Sequence, residues 1–128
     1  MGKLRWGLVA LAIAAASPAQ AHHTFAMFDR DKVVTVAGTV RDFQWTNPHI
    51  WLEMVVAQPD GSTKLWAIEG GAPNALIRRG WKYSAIKVGD KVTVTIHPLK
   101  SGASGGSLLT VTLEDGRTFD DGISDNKT

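Results

Sequence analysis

KVVTVAGTVRDFQW, residues 32–45, decides how this chain folds. It is rich in β-branched residues, which favour extended backbone. It is also long for a single straight strand, and Gly38 in its middle marks a bend or bulge. A long, curved first strand is therefore expected. TNP (46–48) breaks it, and HIWLEMVVA (49–57) follows as a second strand with clean alternation. Ile50, Leu52, Met54 and Val56 face one way, while His49, Trp51 and Glu53 face the other.

Outward from there the punctuation is regular. QPDGST (58–63) is a hairpin turn centred on Asp-Gly, and KLWAIEG (64–70) is a third strand. GAPNALIRRGW (71–81) is the helical stretch, with Pro73 suited to a first turn and Gly80 to the position after the last. VGD (88–90) turns into KVTVTIH (91–97), where Val92, Val94 and Ile96 alternate with Thr93, Thr95 and His97. PLKSGASGGS (98–107) reads as a flexible glycine-serine loop. LLTVTLEDGRTF (108–119) reads as a closing strand with an Asp-Gly turn and a short return, and residues 120–128 as a frayed tail. Five strands with one short helix between the third and fourth predict an all-β, OB-like Greek-key barrel over residues 22–119. A β-sandwich would need about seven regular strands, which the sequence does not supply. The expected interior is Ile50, Leu52, Met54, Val92, Val94 and Ile96.

The beginning of the chain reads as a targeting segment. Lys3 and Arg5 precede the apolar run Trp6–Ala16, and SPAQA places small residues at Ala19 and Ala21. About 11 apolar residues make a helix of roughly 16 Å, short of the ~20 residues a bilayer span requires. Cleavage after Ala21 is expected, giving a periplasmic or secreted protein with no membrane span in its mature form. Lys3 and Arg5 account for the whole net charge of +2, so the mature chain is neutral. That balance lacks the basic footprint of a nucleic-acid binder. There is no cysteine. The domain must hold by packing rather than disulfides, and any soft-metal site must do without thiolate.

AHHTFAMFD, GTVRDFQWTNPHIWLE, WAIEGGAPNALIRRGW and GDKVTVTIHPLKSG together resemble a family of small exported bacterial proteins known as a domain of unknown function. Its members share an AHH-[ST]-F mature start and a WTNPH motif. The resemblance spans nearly the whole mature chain. It implies an exported single-domain protein and brings no activity or site residues with it, so function must be argued from the site.

The four histidines carry that argument. In an OB barrel the loop between strands one and two and the loop between strands four and five frame one surface. His49 opens strand two and His97 ends strand four, so the fold is expected to bring both to that rim, each on the outward phase of its strand. Cleavage after Ala21 makes His22 the first residue, and its amine and Nδ1 can close a six-membered chelate. Strand one is expected to run toward the first loop, placing His22 at the opposite pole. The stretch from His22 to Lys32 can span about 36 Å, with Phe25 and Phe28 pinning it to the barrel. Amine plus imidazoles at His22, His49 and His97, with His23 as a fourth ligand or a support, favour copper by geometry and affinity order; zinc fits three nitrogens and a water. Trp51 and Glu53 could line a ligand groove instead.

The leading expectation is an exported metal-binding protein for delivery, storage or detoxification, possessing no catalytic residues and dealing with the metal ion or another exported protein. The alternative is an OB-type ligand- or protein-binding module in which the histidines are incidental. A redox-active copper enzyme ranks third. Asp42 and Glu53 are too few to support paired-carboxylate hydrolysis, and a Ser-His-Asp set, a phosphate loop and a dinucleotide motif are missing from the sequence.

Overall fold

The computed structural model describes Gly2 and residues 26–122. The elements run β1 (Val34–Gln44), β2 (Trp51–Ala57), β3 (Thr63–Glu69), α1 (Pro73–Arg78), β4 (Lys91–Pro98), β5 (Gly105–Leu113) and β6 (Thr118–Asp120). β1 is shared between two partners. Val34–Thr39 pairs antiparallel with β4, and Thr39–Gln44 pairs antiparallel with β2. β2 continues into β3 and β4 into β5, each antiparallel. A parallel pairing of Ala67–Glu69 with Gly105–Ser107 joins β3 to β5 and closes the sheet. The result is the OB-like five-stranded barrel with its helix between β3 and β4.

At Gly38, where the sequence marks a bend or bulge, two strands approach closely. A Cβ on Gly38 would lie 2.6 Å from the Val55 carbonyl oxygen, so β2 approaches β1 there as only glycine permits. The register slips a few residues on, between Val40 and Asp42. Because the two halves of β1 run beside different strands, both its ends come near the rim where Trp51 starts β2 and His97 ends β4.

Alternation builds the core. Ile50, Leu52, Met54, Val92, Val94 and Ile96 are all buried, joined by Val36, Val40, Ile68, Leu108 and Val111. Leu76 of α1 and the wholly buried Trp81 complete it. Trp81 Nε1 donates to the Asp120 carbonyl at 2.9 Å, and its ring packs 5.3 Å from that of Phe119. The polar end of a large apolar side chain is thereby satisfied inside the protein.

Three expectations are corrected. β5 begins at Gly105, inside the stretch that reads as a flexible loop. A Cβ on Gly105 would stand 2.5 Å from the Ala67 carbonyl oxygen, and one on Gly106 would overlap that of His97. These glycines serve close strand approach, not flexibility. The tail does not fray at Asp120: Asp120 bonds Arg79 at 3.0 Å, and Asp121 N donates to the Leu109 carbonyl at 2.9 Å. Residues 123–128 lie outside the described residues.

The third correction concerns the start of the domain. Val34 pairs with Ile96, so β1 begins beside the end of β4, not at the opposite pole. Residues 27–29 run antiparallel to 98–100, with Asp29 N donating to the Pro98 carbonyl and Lys100 N to that of Met27, both at 2.8 Å. Phe28 is buried there and bridges to Leu99, as its pinning role requires. Phe25 lies outside the described residues.

Candidate functional site

The rim where β2 begins and β4 ends carries a row of register partners. Trp51 opposes Glu69, Glu69 opposes Ser107, and Ser107 opposes His97. At about 4.8 Å per strand step, the backbones of Glu69 and His97 are roughly 10 Å apart. The row takes the phase opposite to the core residues Leu52, Ile68 and Ile96.

His49 stands just before this row rather than within β2. Pairing nonetheless extends to its neighbour, through Ile50 N to the Gly71 carbonyl (3.0 Å) and Gly70 N to that of Ile50 (2.9 Å). Thr46 Oγ1 donates to the His49 carbonyl at 2.9 Å and steadies the loop. The His49 Nδ1 lies 3.0 Å from the Gly70 carbonyl oxygen. A carbonyl only accepts, so Nδ1 carries the proton and donates it. Nε2 then faces Glu69 Oε1 at 3.5 Å. Glu69 is buried, although its strand phase points it away from the core. In the neutral imidazole, Nε2 is a lone pair aimed at a carboxylate. A proton on Nε2 or a cation between the two would turn that opposition into attraction.

Behind Gly70 lies a second carboxyl. Asp121 is 8% exposed. Its Oδ1 accepts from Gly71 N at 2.8 Å, while Oδ2 is buried with no partner among the described residues. Burial pushes its pKa from 3.8 up to about 6, against the Gly71 N–H bond and the charges of Arg79 and His49, which pull it down.

His97 repeats the His49 arrangement. Its Nδ1 lies 2.7 Å from the Lys32 carbonyl oxygen, so Nδ1 again donates. The ring is buried beneath that strand entry instead of standing open on the rim. Among the described residues, the buried side-chain atoms left without a partner are Trp66 Nε1 and Asp121 Oδ2. Neither nitrogen of His97 is therefore sealed away unbonded.

The structure thus brings His49 and His97 to one rim with Trp51, which is 38% exposed. Glu53 does not join them: it lies further along β2, between Asp42 and Ala67. His22 and His23 fall outside the described residues, as does the cleavage site. Trp81 is core, and Trp45 and Trp66 pack partly buried against it. Glu69 and Asp121 are the members sequence reasoning missed. The cue for Glu69 is its shared outward phase with Trp51. Asp121 has no local cue, because its partner is 50 residues away. Among the described residues no group of three or more His, Asp or Glu is arranged to hold a metal ion, and no helix is long and apolar enough to cross a membrane. An open groove bounded by Thr39, Val55, Thr63 and Thr93 lies at the other end of the barrel.

Among solved structures, the mitochondrial single-stranded DNA binding protein of S. cerevisiae is similar over 67% of this chain and 97% of its own, at 12% identity and a TM-score of 0.48. None of the curated proteins matches the chain. Residues 10–108 match the family model of DUF6152, a family of unknown function, and the chain belongs to that family.

Proposed function

We propose that this protein is exported and binds a late transition metal, copper(II) ahead of zinc, for delivery, storage or detoxification. The carrying observation is the His49–Glu69 pair. Nε2 and Oε1 stand 3.5 Å apart, a pairing that a proton on Nε2 or a bound cation would make favourable. A metal bonded to each at the usual ~2.0–2.2 Å spans that separation. A carbonyl behind Nδ1 is also how metal-binding imidazoles are held, and both His49 and His97 have one.

The remaining donors come from the start of the mature chain. Residues 27–29 are tied to the loop after β4, so the segment leading back to His22 departs from beside this rim. From Ala26 it has about 13 Å of extended reach. Cleavage after Ala21 gives His22 a free amine, which with its Nδ1 supplies two nitrogens. His49, His97 and Glu69 supply the others, and His23 supports or replaces one. Nitrogen-rich sets of this kind favour copper(II).

Metal analysis of protein exported and cleaved in its own host tests the reading. One equivalent of copper, removed by chelator and restored by titration, is expected. Copper at background in the protein starting at His22, with no uptake on titration, overturns it. A second reading rests on Trp51, exposed beside the pair. An OB-type module binding a sugar or peptide there would quench tryptophan fluorescence in metal-free protein.

A further inference from the structure

The peptide between Gly70 and Gly71 is bonded at both ends. Its N–H, on Gly71, donates to Asp121 Oδ1 at 2.8 Å. Its C=O, on Gly70, accepts from His49 Nδ1 at 3.0 Å. The Asp121 carboxyl and the His49 imidazole are thus connected through a single planar, resonance-coupled unit, although they are 72 positions apart in the chain.

We propose that Asp121 is a positioning residue for His49, acting through the Gly70–Gly71 peptide to fix the imidazole with its proton on Nδ1 and its lone pair on Nε2. Hydrogen bonds in series polarise one another. A carboxylate accepting the peptide N–H draws that bond's proton outward and leaves the carbonyl oxygen richer in electrons. The richer carbonyl holds Nδ1–H more firmly, and the density passed into the ring raises the donor strength of Nε2. The hydrogen bond made by one ring nitrogen decides what the other can do.

The position of Asp121 is set by other contacts. Its own N–H binds the Leu109 carbonyl, and the preceding residue is held by Arg79 and by Trp81 Nε1. Among the described residues, Asp121 Oδ2 gains no hydrogen bond for its desolvation. The feature the carboxyl adds is its grip on the Gly71 N–H. Glu69 approaches the same ring from the Nε2 side and so cannot substitute for it.

The consequence for metal affinity rests on the proposed function; the positioning itself belongs to the metal-free protein. The test uses 15N-labelled histidine in the metal-free chain starting at His22, at a pH where imidazole is neutral. Long-range 1H–15N correlations identify the tautomer of each ring. His49 is expected as Nδ1–H in the parent. In Asp121→Ala it should move toward the Nε2–H form, with His97 unchanged as the internal control. Asp121→Asn keeps an acceptor oxygen and should restore the Nδ1–H form with its proton resonance shifted upfield. Copper(II) competition should show Asp121→Ala about tenfold weaker, with Asp121→Asn between. An unchanged His49 tautomer in Asp121→Ala overturns the proposal, leaving Asp121 as a loop tie. Should that variant not fold, an unmoved Nδ1 proton in Asp121→Asn overturns it equally. A tautomer shift in a protein that takes up no copper upholds the positioning and overturns the metal reading instead.

Discussion

Gly106 lies so close to the carbonyl oxygen of His97 that no Cβ fits between them. The contact sits beside the β3–β5 seam, where Gly105 meets the Ala67 carbonyl in the same way. Gly106→Ala must push the two backbones apart. It should cost about 1–3 kcal/mol, the usual penalty of overpacking, read as a lower urea midpoint. A variant as stable as the parent would show that the seam has slack.

Asp121 makes stability depend on pH with a definite sign. Its folded pKa, about 6, lies above the ordinary 3.8, so the folded state holds the proton more tightly than the unfolded chain. This group's contribution is full below about 3.8 and is lost as pH rises through about 6. The rise corresponds to about 3 kcal/mol at 1.36 kcal/mol per pH step. Asp121→Asn should therefore be more stable than the parent at pH 7 and no more stable at pH 4. Denaturant titrations at the two pH values check this, and a parallel pH dependence in both proteins would refute it.

If the amine of His22 is a ligand, one residue left before it should weaken copper(II) binding by at least tenfold, about 1.4 kcal/mol. His49→Ala and His97→Ala should weaken it as well, and Trp51→Ala should not. Competition titrations of cleaved and extended protein make the comparison. Equal affinities would remove the amine from the site.

Glu69→Gln keeps the shape of a buried side chain and removes the charge facing His49 Nε2. Copper affinity should fall about tenfold, in the range seen for groups around a metal site. The metal-free protein should be as stable as the parent, because the amide can donate to the imidazole that the carboxylate opposed. Thermal melts with and without metal separate the two effects.

Much of the barrel was legible because its walls follow a period of two. Ile50, Leu52 and Met54, and Val92, Val94 and Ile96, alternate without interruption, and each is buried. Gly38 likewise marks the close approach of β2 to β1, a few residues before the register slips. The start of β5 was illegible because Ser-Gly-Gly has the composition of a linker, and only the nearness of Ala67 and His97 explains it. At the site, strand phase carried His49 and His97 to a common rim. It left unseen that the Lys32 carbonyl lies on the His97 ring. Local pattern in the third strand does not single out Glu69, whose burial against His49 comes from tertiary contact. Asp121 depends on a turn 50 residues away, which no local pattern encodes.

The parallel pairing of Ala67–Glu69 with Gly105–Ser107 gives the barrel a buckle. Parting it would separate Glu69 from Ser107, and with it from His97, while the antiparallel hairpins stay intact. Anything gripped from both sides of the rim would work as the pin of that buckle. Its binding energy would appear as slower amide exchange at Ala67, whose N–H reaches across to the Ser104 carbonyl. A ligand held from both sides of the rim would add its binding energy to the stability of that closure.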